Sequence, residues 1–371
     1  MESEKQNDFF ISHLHIENFM GIEMFDEDFS RFSNNLVGIN GAGKSSILRA
    51  IDILFSWFAA RIRNAKGNGI VLQDSDITNG RSECLLEISL GNGVSWTLYK
   101  QLSSSRKKQS AKTKLSEMMV YINKILIDNE DHPETNSLPL YTYYGIGRVV
   151  GATPDKFHKY NALEISDVYN RNLMQQPNYN AFFNWFNERE SMEDKEYRRN
   201  EDFQPDRQLV AVRKAIEGVL PGYSNLYVKS SPHTFVIEKD SIELLFDQLS
   251  DGEKALIALA GDTARKLAMT HPHSCDPSNE PGIVLIDELD LHLHPSWQRD
   301  VLPRMRKAFP RCQFIISTHS PFVLTNVNSK NNDSLFLMSK GRPTRYTSNI
   351  YGREISQIVA EVLEMPRPNS I

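Results

Sequence analysis

The sequence predicts an α/β fold organised on a largely parallel sheet, and three observations carry that prediction. A strand-like run ending at Val37 passes through Gly38-Ile39-Asn40-Gly41-Ala42-Gly43-Lys44-Ser45 directly into a helical pattern over residues 46–62. In the last third, the apolar stretches 283–286, 313–317 and 335–338 lack polar alternation, as strands covered on both faces do. A helical segment, Pro295–Ala308, separates the first two, so strand and helix alternate there.

Taken in order, residues 10–16 and 32–37 read as strands, and 46–62 as a long amphipathic helix with Ile47, Leu48, Ile51, Leu54, Phe55 and Phe58 at helical spacing. Strands at 83–90 and 94–102 flank Gly91-Asn92-Gly93, a hairpin turn. The Ser-rich, basic stretch 103–114 reads as a solvated loop, followed by a helix to about residue 127 and a strand at 138–144. From 151 to 222 the composition shifts toward Asn, Tyr, Phe and charge, with helical periodicity at 180–189 and 206–219. The aromatic cluster Phe182, Phe183, Trp185 and Phe186 is expected to be packed core, a stacking platform for bases being the alternative. Strands at 225–229, 234–238 and 242–246 precede a helix beginning near Gly252. The expected organisation is therefore residues 1–150 and 223–371 as two lobes of one α/β unit, with 151–222 as a mainly helical insertion.

Composition sets the limits. The 371 residues amount to two domains at about 150 each, or one large domain with an insertion. Lys+Arg number 42 and Asp+Glu 47, a net charge of −5, so any contact with DNA must be a local patch. The clusters Arg61, Arg63, Lys66 and Arg106, Lys107, Lys108, Lys112, Lys114 are the candidates, with a merely solvated surface as the alternative. Three scattered cysteines, Cys84, Cys275 and Cys312, fit a reducing compartment. The polar start of the chain and the lack of a long apolar run make a cytoplasmic, membrane-free protein the expectation.

Residues 38–45 match the G-x-x-x-x-G-K-[ST] phosphate loop, in the strand-to-helix setting it requires. Its glycines let backbone N–H groups turn inward around phosphate at the positive end of the helix dipole. Gly38, Asn40, Gly41, Ala42, Gly43, Lys44, Ser45 and Ser46 are the candidate ATP contacts, with Lys44 on the phosphates and Ser45 a ligand of Mg²⁺. Asp287 and Glu288 end an apolar strand, where ligands sit in open α/β sheets. Asp287 suits the Mg²⁺ shell and Glu288 the polarising of an attacking water, though such a pair also occurs in solvated loops.

Two further strings fix the kind of phosphate-loop protein. Leu249-Ser250-Asp251-Gly252-Glu253-Lys254 resembles the signature motif of ABC-type ATPases, and His319 in Ser317-Thr318-His319-Ser320-Pro321 resembles their switch histidine. Together with Leu291-His292-Leu293-His294-Pro295, the set resembles the ABC-type ATPase heads of the SMC, RecF and OLD class. More narrowly, Leu140-Tyr141-Thr142-Tyr143-Tyr144-Gly145 and residues 248–254 resemble the RecF-like ATPases of the Septu (PtuA) and retron antiphage systems. The resemblance implies a homodimer in which Ser250, Gly252 and Glu253 of one subunit, with His294 nearby, complete the ATP site of the other. It also implies an HNH-type nuclease partner and possible contact with DNA.

The sequence departs from that pattern at three places. Asp251 and Glu253 stand where transporters usually have Gly and Gln, a variant that resembles the SMC-type heads, and His294 stands where the loop commonly carries Asp. No glutamine of the Q-loop is evident, leaving Arg148 as a weak substitute and discouraging a transporter role. The insertion is too short for a coiled-coil arm. His292-x-His294 and His271-x-His273-x-Cys275 lack partners at metal-ligand spacing. No nucleophile elbow appears, and no nuclease carboxylate cluster stands apart from the ATP site, so any cutting of DNA is expected of another chain. Two functions stand against each other, an ATP hydrolase of a defence complex and a slow ATP sensor that holds a nuclease silent, with a RecF-like DNA-repair ATPase as the further alternative that the resemblance implies.

Overall fold

The computed structural model describes residues 9–105, 111–135, 137–146, 168–169, 179–200, 202–231, 233–339 and 342–362. In chain order the elements are β1 (Ile11–Phe19), β2 (Ile22–Asp28), β3 (Ser33–Val37), α1 (Lys44–Arg63), β4 (Glu83–Leu90), β5 (Ser95–Gln101), α2 (Ser116–Asp131) and β6 (Leu140–Tyr144). There follow α3 (Tyr179–Tyr197), α4 (Arg207–Val219), β7 (Tyr223–Ser230), β8 (His233–Lys239), β9 (Ile242–Leu245) and α5 (Asp251–Thr270). The last are β10 (Gly282–Ile286), α6 (Pro295–Ala308), β11 (Cys312–Thr318), α7 (Pro321–Leu324), β12 (Asp333–Ser339), β13 (Arg342–Arg345) and α8 (Ile355–Glu361).

The central sheet has the order β13-β12-β3-β11-β10-β6, parallel throughout except for the β13 edge. Strands β3, β6, β10 and β11 are buried at every position, as in a sheet covered on both faces; β10 is wholly apolar, whereas β3 buries Ser33, Asn34 and Asn35, whose side chains donate to Asp333, the Ser30 carbonyl and the Ser334 carbonyl. An antiparallel sheet, β2-β1-β4-β5, packs beside it, and β7-β8-β9 form a separate meander. The Gln313 side chain joins the first two sheets: it accepts from the Ile11 N–H and donates to the Ile11 carbonyl, both at 2.8 Å.

Helix α1 buries Ile47, Leu48, Ile51, Leu54, Phe55 and Phe58, the face predicted from spacing. Phe55 stacks on Tyr141 with ring centroids 4.2 Å apart. Helix α5 is buried along almost its whole length, including the charged Asp262, Arg265 and Lys266. Phe182, Phe183, Trp185 and Phe186 are fully buried, and all three Phe rings pack on Phe235. Those rings therefore belong to the core and have no face open to a base.

Strand β2 is absent from the sequence expectation. It follows a tight turn in which Met20 and Gly21 both take positive φ, 44° and 86°. Its acidic sequence has little strand preference of its own, and pairing holds it: His13 lies opposite Asp28, and His15 opposite Asp26. Among the described residues no helix is long and apolar enough to cross a membrane. The candidates Arg106, Lys107, Lys108 and Arg148 lie outside the described residues, as does most of 147–178.

Candidate active site

Strand β3 ends at Val37, and after residues 38–43 α1 begins at Lys44 with no side-chain cap and no acidic residue in its first turn. Helix starts leave backbone N–H groups without intrahelical acceptors, so this one is open to an anion. Gly41 and Gly43 hold φ at 75° and 100°, which glycine alone adopts at no cost. A Cβ on Gly38 would lie 2.4 Å from the Met338 carbonyl oxygen, so β12 approaches the loop too closely for any side chain there. The Lys44 ammonium is buried and donates to the carbonyls of Gly38 and Ile39, at 2.9 and 3.0 Å. Burial pulls its pKa down from the ordinary lysine value, against the opposing pull of Asp287, Glu288 and Asp290.

A cavity of about 300 Å³ opens over this loop, walled by residues 40–46, the Met20–Gly21 turn, Glu288 and His319. Strand β10 delivers Asp287 buried and Glu288 half-buried. The Ser317 hydroxyl, at the end of the neighbouring β11, donates to Asp287 and accepts from the Glu288 N–H at 2.7 Å. Glu288 has a φ of 50°, a left-handed turn that is uncommon for a residue with a side chain and typical of functional positions. Its Oε1 lies 3.9 Å from Nε2 of His319. Burial and then the Lys44 charge lower the His319 pKa, which favours the neutral imidazole. Thr318 donates to Asp290 at 2.5 Å, and Ser320 to Gln298 at 2.7 Å, so both strand ends are fixed by their hydroxyls. The hard oxygen donors offered by the exposed Ser45 and the buried Asp287 match the chemistry of Mg²⁺.

The other predicted residues stand elsewhere. Ser250 caps α5 in a reciprocal capping box: its N–H and hydroxyl both donate to Glu253 Oε2, at 2.7 and 2.8 Å, while the Glu253 N–H donates to its oxygen. Burial works against the Glu253 carboxylate. The Lys239 ammonium at 2.8 Å, the Tyr223 hydroxyl and Ser250 outweigh it and hold the pKa at about 2. A Cβ on Gly252 would meet the His292 carbonyl oxygen at 2.7 Å, so the start of α5 rests on the loop that leaves β10. His294 is exposed and caps α6, its Nδ1 accepting from the Ser296 N–H at 3.3 Å. Ser250, Gly252, Glu253 and His294 do not line the cavity above Lys44. The buried His271 lies against Thr270 and the Leu267 carbonyl, away from this site.

Sequence reasoning passed over Ser317, Thr318, Gln298, Asp290 and the Met20 turn. Ser317 and Thr318 stood inside the string quoted for His319, where a strand end rich in hydroxyls was the available signal.

A phosphate loop, a carboxylate pair and a histidine on adjacent parallel strands, with a capped signature helix apart from them, define an ABC-type ATPase head. The chain belongs to the family of retron ATPases. It is 31% identical to "Retron Vc95 probable ATPase" of Vibrio cholerae serotype O1 biovar El Tor, over 90% of this chain and 75% of that one. It is 26% identical to "Retron Ec83 probable ATPase" of Escherichia coli, over 96% of this chain and 76% of that one. To "Septu protein PtuA" of Bacillus mycoides (strain KBAB4) it is 29% identical, over 85% of this chain and 39% of the relative. Residues 144–325 match the family described as "AAA domain, putative AbiEii toxin, Type IV TA system". Among solved structures, the SMC head domain from Thermotoga maritima aligns at a TM-score of 0.46 and 14% identity, over 91% of this chain and 99% of that one.

Proposed function

We propose that this chain hydrolyses ATP at two composite sites of a head-to-tail homodimer and serves as the ATPase subunit of an antiphage defence complex. The observation that carries the reading is the split of the site. Lys44, Glu288 and His319 share one cavity, while Ser250 and Gly252 open a helix that does not reach it. A second copy supplies what each cavity lacks, as a head-to-tail arrangement allows.

In this reading Lys44 leaves the carbonyls of Gly38 and Ile39 for the β- and γ-phosphates, and residues 38–46 cradle them through backbone N–H groups. Ser45 and Asp287 hold Mg²⁺, which when bound neutralises phosphate charge. Glu288 orients the attacking water and takes its proton. His319 donates to the γ-phosphate region from the end of the neighbouring β11. Residues 1–150 and 223–371 act as the two lobes, with 151–222 inserted between them. An HNH-type nuclease subunit is the proposed partner, with DNA as its target, and the complex is cytoplasmic.

One observation favours slower turnover. The single hydroxyl proton of Ser250 is given to Glu253, so a phosphate would have to take it over before Ser250 contributes. In that second reading the chain is an ATP-gated scaffold that keeps its nuclease inactive.

The experiment is steady-state ATP hydrolysis against protein concentration, with and without duplex DNA, using Glu288→Gln as control. A rate per subunit that rises with concentration and collapses in the variant supports the composite-site hydrolase. Turnover equal to that of the variant, with ATP still bound, refutes it in favour of the scaffold.

A further inference from the structure

Helix α5 carries three side chains of ionisable type, Asp262, Arg265 and Lys266, in its buried middle. Asp262 and Lys266 are fully buried and Arg265 is 3% exposed. Arg265 donates to Asp262 Oδ1 at 2.6 and 3.1 Å, and Lys266 lies 2.8 Å from Oδ2. Strand β6 completes the cluster: the Tyr144 hydroxyl donates to Asp262 at 3.0 Å, and Lys266 donates to the Thr142 hydroxyl at 2.8 Å. The Lys266 ammonium also sits 4.7 Å from the centre of the Tyr144 ring. Buried ion clusters rarely add net stability over apolar residues of similar volume, and their best-attested use is to fix a register.

The register in question is that of α5 against the carboxylate loop. Tyr144 is bound through its hydroxyl to α5 and through its carbonyl to the Asp287 N–H, at 2.8 Å. The other end of that loop is met by α5 again, where Gly252 abuts the His292 carbonyl. Asp262 stands about 16 Å along the helix from its first residue. Residues 287–292 thus start from the last rung of the β6–β10 ladder, at a Tyr144 whose side chain is tied to α5, and end against the first turn of the same helix.

We infer that the Asp262–Arg265–Lys266–Tyr144 cluster is a positioning device, which locks the Ser250 end of α5 and the Asp287–Glu288 carboxylates into a single moving body. These are positioning residues, since none of them lines the cavity. In the dimer of the proposed function, on which the catalytic consequence rests, engagement of Ser250 by one nucleotide would then set the carboxylates of the other site.

The test uses the full chain with Asp262→Leu, Arg265→Met and Lys266→Met combined, and separately Tyr144→Phe. Amide hydrogen exchange is followed over 251–270 and 287–292, beside nucleotide affinity and turnover. The combined variant is expected to melt no more than a few degrees from the parent. Its 287–292 amides should exchange about tenfold faster while those at 251–260 stay as they were, and kcat should fall about tenfold with nucleotide Kd unchanged. Should the combined variant fail to fold, Tyr144→Phe carries the test, with the same acceleration at 287–292. Exchange at 287–292 within twofold of the parent in the folded variants overturns the inference, whatever the turnover. Parent turnover no greater than that of Glu288→Gln overturns instead the hydrolase reading, and the exchange result still decides the coupling.

Discussion

Glu253→Gln is the substitution whose cost can be worked from the structure. The carboxylate is held at about 2 against an ordinary 4.5, with its side chain only 10% exposed and Lys239 at 2.8 Å. A shift of that size corresponds to about 3 kcal/mol in favour of the ionised form. Lys239 is 40% exposed, so water screens part of the attraction and about 2 kcal/mol is the better figure. The folded pKa lies below the unfolded one. The stabilisation is therefore complete above about pH 5 and is lost as pH falls from the ordinary 4.5 toward about 2. Urea unfolding of parent and variant at pH 7, 5, 4 and 3 measures the gap between them. About 2 kcal/mol at pH 7, shrinking steadily below pH 4.5, is expected. A gap that is constant across this range, or absent at pH 7, refutes the assignment of the charge as the source.

Three other outcomes follow from the site. Lys44→Ala should weaken nucleotide binding by about a hundredfold, near 2.7 kcal/mol, in a calorimetric titration, with the fold intact. Gly38→Ala places a Cβ 2.4 Å from the Met338 carbonyl oxygen, and thermal unfolding should show a loss of about 2 kcal/mol as loop or β12 gives way. Ser317→Ala removes the hydroxyl shared by Asp287 and the Glu288 N–H, and should lower kcat about tenfold with little change in nucleotide Kd.

The elements written in apolar periodicity were legible. Helix α1, strands β10 and β11, and the phosphate loop between β3 and α1 all follow from spacing that the core enforces. The meander of β7, β8 and β9 was equally plain from its apolar runs. Strand β2 was not, because its Asp and Glu residues disfavour strands; the pairing of Asp28 and Asp26 with His13 and His15 and the burial of Ile22 and Phe25 hold it. The charge cluster of α5 was invisible for the opposite reason. Charged residues at helical spacing ordinarily mark a solvated helix face, whereas Asp262, Arg265 and Lys266 are buried and bonded to one another and to β6. In the site, the strand ends announced Asp287, Glu288 and His319. The left-handed turn at Glu288 had no sequence mark, since glycine or asparagine would ordinarily signal it.

The strand that leads into the phosphate loop lies between β11 and β12, which begin at residues 312 and 333. During synthesis, Lys44 and its glycines leave the ribosome long before either neighbour of β3 exists. The early segment must wait as an unpaired strand, its backbone N–H and C=O groups without their eventual partners. Pairings across nearly the whole chain make folding slow, and they make the pocket over Lys44 a late event. Nascent chains cut short before β11 therefore carry the full nucleotide motif and no nucleotide site.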